Sequence, residues 1–140
     1  MLRKRQVHLD FHTNGTLPVG KSFSKEQFQQ ALKVGHVDSI TVFSKCHHGW
    51  SYHPTEVNEM HPQLDFDLLG AQLEACREIN VKAPVYISAG FDEKEYLKRL
   101  SAYADVEVTE ISPVRVFDEK SRAAVDEALK KEGREIMKRV

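Results

Sequence analysis

Cys46, His47, His48, His53 and His61 fall within sixteen consecutive positions of a 140-residue sequence that holds seven histidines in all. They sit in or beside the block Lys45-Cys-His-His-Gly-Trp-Ser-Tyr-His-Pro54. Cationic donors, imidazoles and flat aromatic faces are what a sugar ring demands: directional hydrogen bonds to hydroxyls and an apolar face to stack upon. The same residues could serve a metal instead, with Cys46 and the four histidines as zinc ligands and Asp10 or His12 joining from a neighbouring strand. The spacing gives neither paired Cys-x-x-Cys nor His-Glu-x-x-His, so no metal is assigned. In a third reading these histidines are ordinary core or surface residues with no ligand. Asp10 and His12 share the side of the first strand that carries His8. Asp10 is therefore placed either to orient a histidine by accepting its N–H, or to act as a buried, hydrogen-bonded strand residue. Adjacent His47 and His48 on an extended segment are expected to point to opposite sides.

A second stretch, Gly15-Thr-Leu-Pro-Val-Gly-Lys-Ser22, matches the phosphate-cradling pattern G-x-x-x-x-G-K-[ST] and stands between a strand and a helix. That loop works only when its Lys and Ser lie in the first helical turn, with free N–H groups aimed at phosphate. Here Ser24 reads as the helix cap, which leaves Lys21 and Ser22 outside. Nucleotide binding is the weaker expectation.

The elements that must position these residues alternate. Gln6 to Phe11 reads as a strand with Val7, Leu9 and Phe11 on one face. Ser24 followed by Gln27 opens a helix that Gly35 stops. Ser39 to Ser44 is a β-branched strand running into Lys45 and the histidine block. Asp65 or Asp67 caps a helix carrying Leu68, Leu69, Leu73, Cys76 and Ile79. Val81 to Ser88 forms a third strand. Glu93 to Tyr103, Val106 to Ile111 and Ser121 to Val140 read as helix, strand and long charged helix. The order βαβαβαβα implies an α/β class with a parallel four-stranded sheet, a partial, half TIM-barrel-like unit. In such sheets function gathers at the carboxyl ends of the strands, where His12, the Lys45 to His53 block and Ser88 to Asp92 all fall.

Size and charge exclude other classes. A complete (β/α)8 barrel needs roughly 250 residues, so one chain of this length does not close one. Twenty basic residues against 21 acidic ones leave a formal charge of −1, with no bias toward nucleic acid or an anionic membrane. No apolar run reaches the ~20 residues of a membrane span, and no signal-peptide core follows the basic start. Cys46 and Cys76 are expected as free thiols in a reducing cytoplasm. Composition shifts near residue 93 toward Lys, Glu, Asp and Arg, which places a boundary at Asp92 to Lys94, between segments 1–92 and 93–140 of one compact unit.

Gln6-Val-His-Leu-Asp-Phe-His12, Val37 through Thr55 with its Lys-Cys-His-His-Gly-Trp core, and Phe66-Asp-Leu-Leu-Gly-Ala-Gln-Leu-Glu-Ala75 resemble the amino-terminal part of a barrel glycoside hydrolase. The group is the hypothetical glycosyl hydrolases, which are similar to α-L-fucosidases. Val85-Tyr-Ile-Ser88 resembles its third strand, so the likeness covers residues 5 to 92. It implies sugar contacts from His12, His47, His48 and Trp50, with Lys45 as a supporting donor, Asp10 beside them, and a small carbohydrate as ligand. Fucosidases carry Lys-His-His-x-Gly-Phe, so Cys46 replaces their first histidine. A retaining glycosidase also needs two carboxylates about 5–5.5 Å apart. That family's nucleophile comes from the fourth strand or later, and no corresponding segment follows here. Catalytic residues are therefore unassigned, weak binding without efficient hydrolysis is expected, and a homodimer closing the cut sheet is a further expectation. Residues 93–140, through Glu93 to Tyr103, Val106 to Ile111 and Lys131-Glu-Gly-Arg-Glu-Ile136, resemble the amino-terminal half of a knotted (SPOUT-class) ribosomal RNA methyltransferase. Its S-adenosylmethionine-binding loops have no counterpart here, so no cofactor is assigned.

Overall fold

Strand β2, Ser39–Lys45, is buried along almost its whole length, because it is the middle strand of a parallel sheet flanked by β1 (Gln6–His8) and β3 (Val85–Ile87). The computed structural model describes residues 4–88, 92–94, 127 and 130–139. Helix α1, Lys25–Val34, connects β1 to β2, and helix α2, Leu68–Glu78, connects β2 to β3. The predicted fourth strand, the helix beyond Lys94 and the start of the last helix lie outside the described residues. Residues 130–137 are helical.

Both helix starts follow from local chemistry. Ser24 accepts the Gln27 N–H at 3.3 Å, and Asp67, rather than Asp65, accepts that of Gly70 at 2.8 Å. Gly35 closes α1, its N–H bonding back to Ala31. Period-two alternation along β2 divides the core. Ile40 and Val42 pack with Leu32, Leu69, Leu73 and Cys76 on the helix side. Phe43 packs on the other side with Val19, Tyr52, Leu64 and Leu68. The two helices are joined at their surface by Lys25, which binds Glu74 and Glu78, and by Gln29, which donates to the Ala75 carbonyl.

Strand β1 ends three residues earlier than its alternation predicts. Only Gln6, Val7 and His8 pair with Ser39, Ile40 and Thr41, and beyond them Leu9 is 63% exposed. Leu9 therefore does not share a buried face with Val7 and Phe11. Past His8 the chain is held by side chains instead. Tyr52 Oη accepts the Thr13 N–H at 3.2 Å, and Phe11 packs on the Tyr52 ring with centroids 4.8 Å apart. At the other edge the β2–β3 register shifts between Phe43 and Lys45, so Lys45 rather than Ser44 stands opposite Ile87. Such irregularities re-aim a strand end. Here the strand end carries Lys45 to the rim.

Candidate functional site

Cys46 to Gly49 is a tight turn and not a continuation of the strand. The Gly49 N–H bonds the Cys46 carbonyl at 3.0 Å, and Gly49 adopts φ +87°. A side chain there would be strained, and its Cβ would run into Asp92 Oδ1. The turn overrides the expectation that His47 and His48 diverge: their ring centroids are 4.3 Å apart. His12 stacks on His47, with centroids 4.1 Å apart and planes 29° from parallel.

A carboxylate stands at each end of this row of three imidazoles. His12 Nε2 lies 2.8 Å from Asp10 Oδ1, and His48 Nδ1 meets Glu93 Oε2. Asp10 stands beside this histidine, and its own side chain is largely exposed rather than buried. His12 Nδ1 is buried with no hydrogen-bond partner. Burial, and then the neighbouring His12 and His48, hold His47 below the ordinary imidazole pKa, against an opposite pull from Glu93 and Asp10. The array combines donors, acceptors and nearby carboxylates on a half-buried surface. Its chemistry suits binding and proton exchange with hydroxyl groups.

Lys45 and Trp50 belong to other contact sets. Lys45 is 6% exposed, its Nζ lying 3.3 Å from Asp92 Oδ2 and 3.0 Å from Glu132 Oε1. The Trp50 indole packs against Gly15 and the edge of His61, and Lys94 Nζ sits 4.7 Å from its ring centre. Lys94 is itself anchored to Asn58 Oδ1 at 2.9 Å. Stacking of a ligand on the face that Lys94 occupies would require this ammonium to move. The structure thus brings Asp10, His12, His47 and His48 together, and places Lys45 and Trp50 beside them under charged partners.

The remaining clustered residues are structural. Buried His61 donates from Nε2 to the Asn14 carbonyl at 2.7 Å and accepts the Gln63 N–H on Nδ1. Buried His53 donates from Nδ1 to the Pro54 carbonyl, and its Nε2 meets the Ser44 hydroxyl at 2.9 Å. Cys46 is fully buried, its thiol facing the Thr13 carbonyl. Among the described residues no group of three or more His, Cys, Asp or Glu is arranged to hold a metal. Lys21 and Ser22 precede the Ser24 cap, so they stand outside the first turn of α1, where a phosphate-cradling loop would need them. Among the described residues no helix is long and apolar enough to cross a membrane.

The sequence reading missed Glu93 and Glu132. Glu93 follows directly from a loop already assigned to the rim, and its backbone N–H bonds the His47 carbonyl at 2.9 Å. Glu132 lies 87 positions from Lys45, in a charged helix with no local signal pointing to the site.

The family model for hypothetical glycosyl hydrolase 6 matches residues 24–128. The chain belongs to that family. This glycosyl hydrolase 6 match continues through residues 93–128, the stretch compared above with methyltransferases. Among solved structures, the chain is similar to α-L-fucosidase isoenzyme 2 from Paenibacillus thiaminolyticus, with 61% identity and a TM-score of 0.69. That alignment covers 71% of this chain and 15% of the fucosidase. An α-L-fucosidase AlfC fucosyltransferase mutant shares 21% identity at a TM-score of 0.48, covering 58% of this chain and 26% of that one. No curated protein matches. This member of the glycosyl hydrolase 6 family therefore spans 15% of the length of the fucosidase it matches.

Proposed function

We propose that this chain is a glycoside-hydrolase-type module that binds a monosaccharide of the fucose class weakly, at the rim made by Asp10, His12, His47 and His48. The observation carrying this reading is the carboxylate-ended row of imidazoles at the carboxyl ends of β1 and β2. Imidazoles offer both donor and acceptor nitrogens, as neighbouring ring hydroxyls require. The name of the similar solved structure, an α-L-fucosidase, supports fucose as the first sugar to try. Trp50 and Lys45 contribute once Lys94 and the Lys45 partners give way.

Hydrolysis is expected to be poor. Asp10 is engaged by His12, and Asp92 and Glu132 both face Lys45. Ligand contacts without a free acid and nucleophile do not lower a barrier. In this reading the chain is a half-barrel-like unit, and the β1 edge pairs with a second copy, since an open edge favours pairing. Free, buried Cys46 and Cys76 fit a reducing compartment such as the cytoplasm.

Titrating L-fucose while following Trp50 fluorescence and histidine NMR signals tests the reading. Binding with a dissociation constant on the order of millimolar is expected, lost in His47→Ala and not given by an equal concentration of glycerol. No response to fucose at high millimolar concentration overturns it. Light scattering decides the dimer, which a strictly monomeric mass removes.

A further inference from the structure

Residues 130–139 lie across the rim of the sheet, and among the described residues the polar contacts of their inner face fall between positions 45 and 67. Glu132 binds Lys45 at 3.0 Å, and Glu135 accepts from the Thr55 hydroxyl at 2.9 Å. Ile136 is buried between them, and Arg139 bridges Asp67 Oδ2 at 2.6 Å and the Pro54 carbonyl at 2.9 Å. These positions follow one another at helical spacing, so they form one stripe, while Lys131, Arg134 and Met137 face outward. The stripe ends on the carboxylate that caps α2: Asp67 serves Gly70 with one oxygen and Arg139 with the other.

We propose that this helical segment is a built-in strap that closes the Lys45 rim and keeps the ammonium from any ligand until it lifts. Two observations support a latch rather than a permanent wall. Glu132 Oε2 is buried with no hydrogen-bond partner, so the closed position leaves a carboxylate oxygen desolvated and uncompensated. Lys45 also keeps a second carboxylate, Asp92, so its charge stays paired when Glu132 departs. Closure is thus held mainly by Ile136 and Arg139, and Glu132 takes the place against Lys45 that a ligand oxygen would occupy. The identity of that ligand as a sugar rests on the function proposed above; the closure itself does not.

Brief acylation of the full chain with an N-hydroxysuccinimide ester of acetate, read lysine by lysine by mass spectrometry, tests the strap. Lys33, which is exposed, serves as the internal standard, and alkylation of the buried Cys76 thiol by iodoacetamide in a parallel sample reports any general opening. In the wild-type protein Lys45 is expected to react at least about tenfold more slowly than Lys33, and Arg139→Ala is expected to speed Lys45 several-fold while Cys76 stays protected. If Cys76 becomes reactive in Arg139→Ala, Glu135→Ala is read by the same criteria. Fucose added to the strap-released variant is expected to bind at lower concentration than to wild type; absence of binding to either form counts against the sugar and leaves the labelling result to stand. Lys45 reacting as fast as Lys33 in wild type, or equal protection with and without Arg139, overturns the strap.

Discussion

The imidazole of His12 lies 4.1 Å from that of His47, only 29° from parallel, and Asp10 holds the outer ring by its Nε2. Burial disfavours a charged His47, and the neighbouring imidazoles add to that penalty. The folded protein therefore protonates His47 at lower pH than the unfolded chain, which does so near the ordinary value of about 6.5. Between those values the unfolded state binds more protons, so the His47 contribution is complete above about pH 6.5 and is lost as pH falls through the folded-state pKa. Urea midpoints at pH 7.5, 6.5 and 5.5 should fall less steeply for His47→Gln than for wild type. Parallel curves would refute the lowered pKa of His47.

Gly49 carries a second prediction. Its φ of +87° and the Asp92 oxygen at its open side leave no room for a methyl group. Gly49→Ala should destabilise the fold by about 1–3 kcal/mol, since strain and a displaced carboxylate act together. The change should also loosen the turn that joins His47 to His48, visible as broadened histidine NMR signals. An unchanged urea midpoint would show that the turn yields easily.

Tyr52 joins the segment after β1 to the histidine turn. Its hydroxyl meets the Thr13 N–H and lies 2.9 Å from the Thr13 Oγ1, and burial together with the adjoining Cys46 thiol pushes its pKa upward. Tyr52→Phe keeps the ring but strands the Thr13 donor. A loss of about 1–3 kcal/mol is expected, with faster exchange of the Thr13 amide. A surface pair such as Arg5–Asp38 should matter far less, because solvent and salt weaken it.

Core packing outweighs these polar terms. Leu69 is fully buried between α2 and β2, and Leu69→Ala should cost about 2–5 kcal/mol by chemical denaturation. Cys76, on the same face, has its thiol pushed up to about 11 by burial. It should resist a thiol reagent at pH 8 until the chain unfolds; prompt native-state reaction would contradict the packing.

Ser24 was readable as a helix start, and Asp67 as one of two candidates with Asp65, because each acts on an N–H three positions away. Strand β2 was readable because its β-branched run is a property of one strand. The end of β1 was not, since Leu9 continues the apolar pattern yet leaves the ladder after the His8–Thr41 pair, although β2 runs on to Lys45. His53 and His61 looked equal to His47 and His48 by type and spacing. They differ only in what the fold brings to them: the Pro54 and Asn14 carbonyls complete their hydrogen bonding.

Local forces already written along the chain determined the parallel β/α order, the caps and the concentration of imidazoles at one rim. Tertiary structure alone decided which imidazoles meet, that Lys45 is covered by Glu132, and that Trp50 lies under Lys94. Caps and alternation depend on neighbours a few positions apart, whereas these contacts require distant segments to arrive together. A spacing pattern carries no record of that arrival.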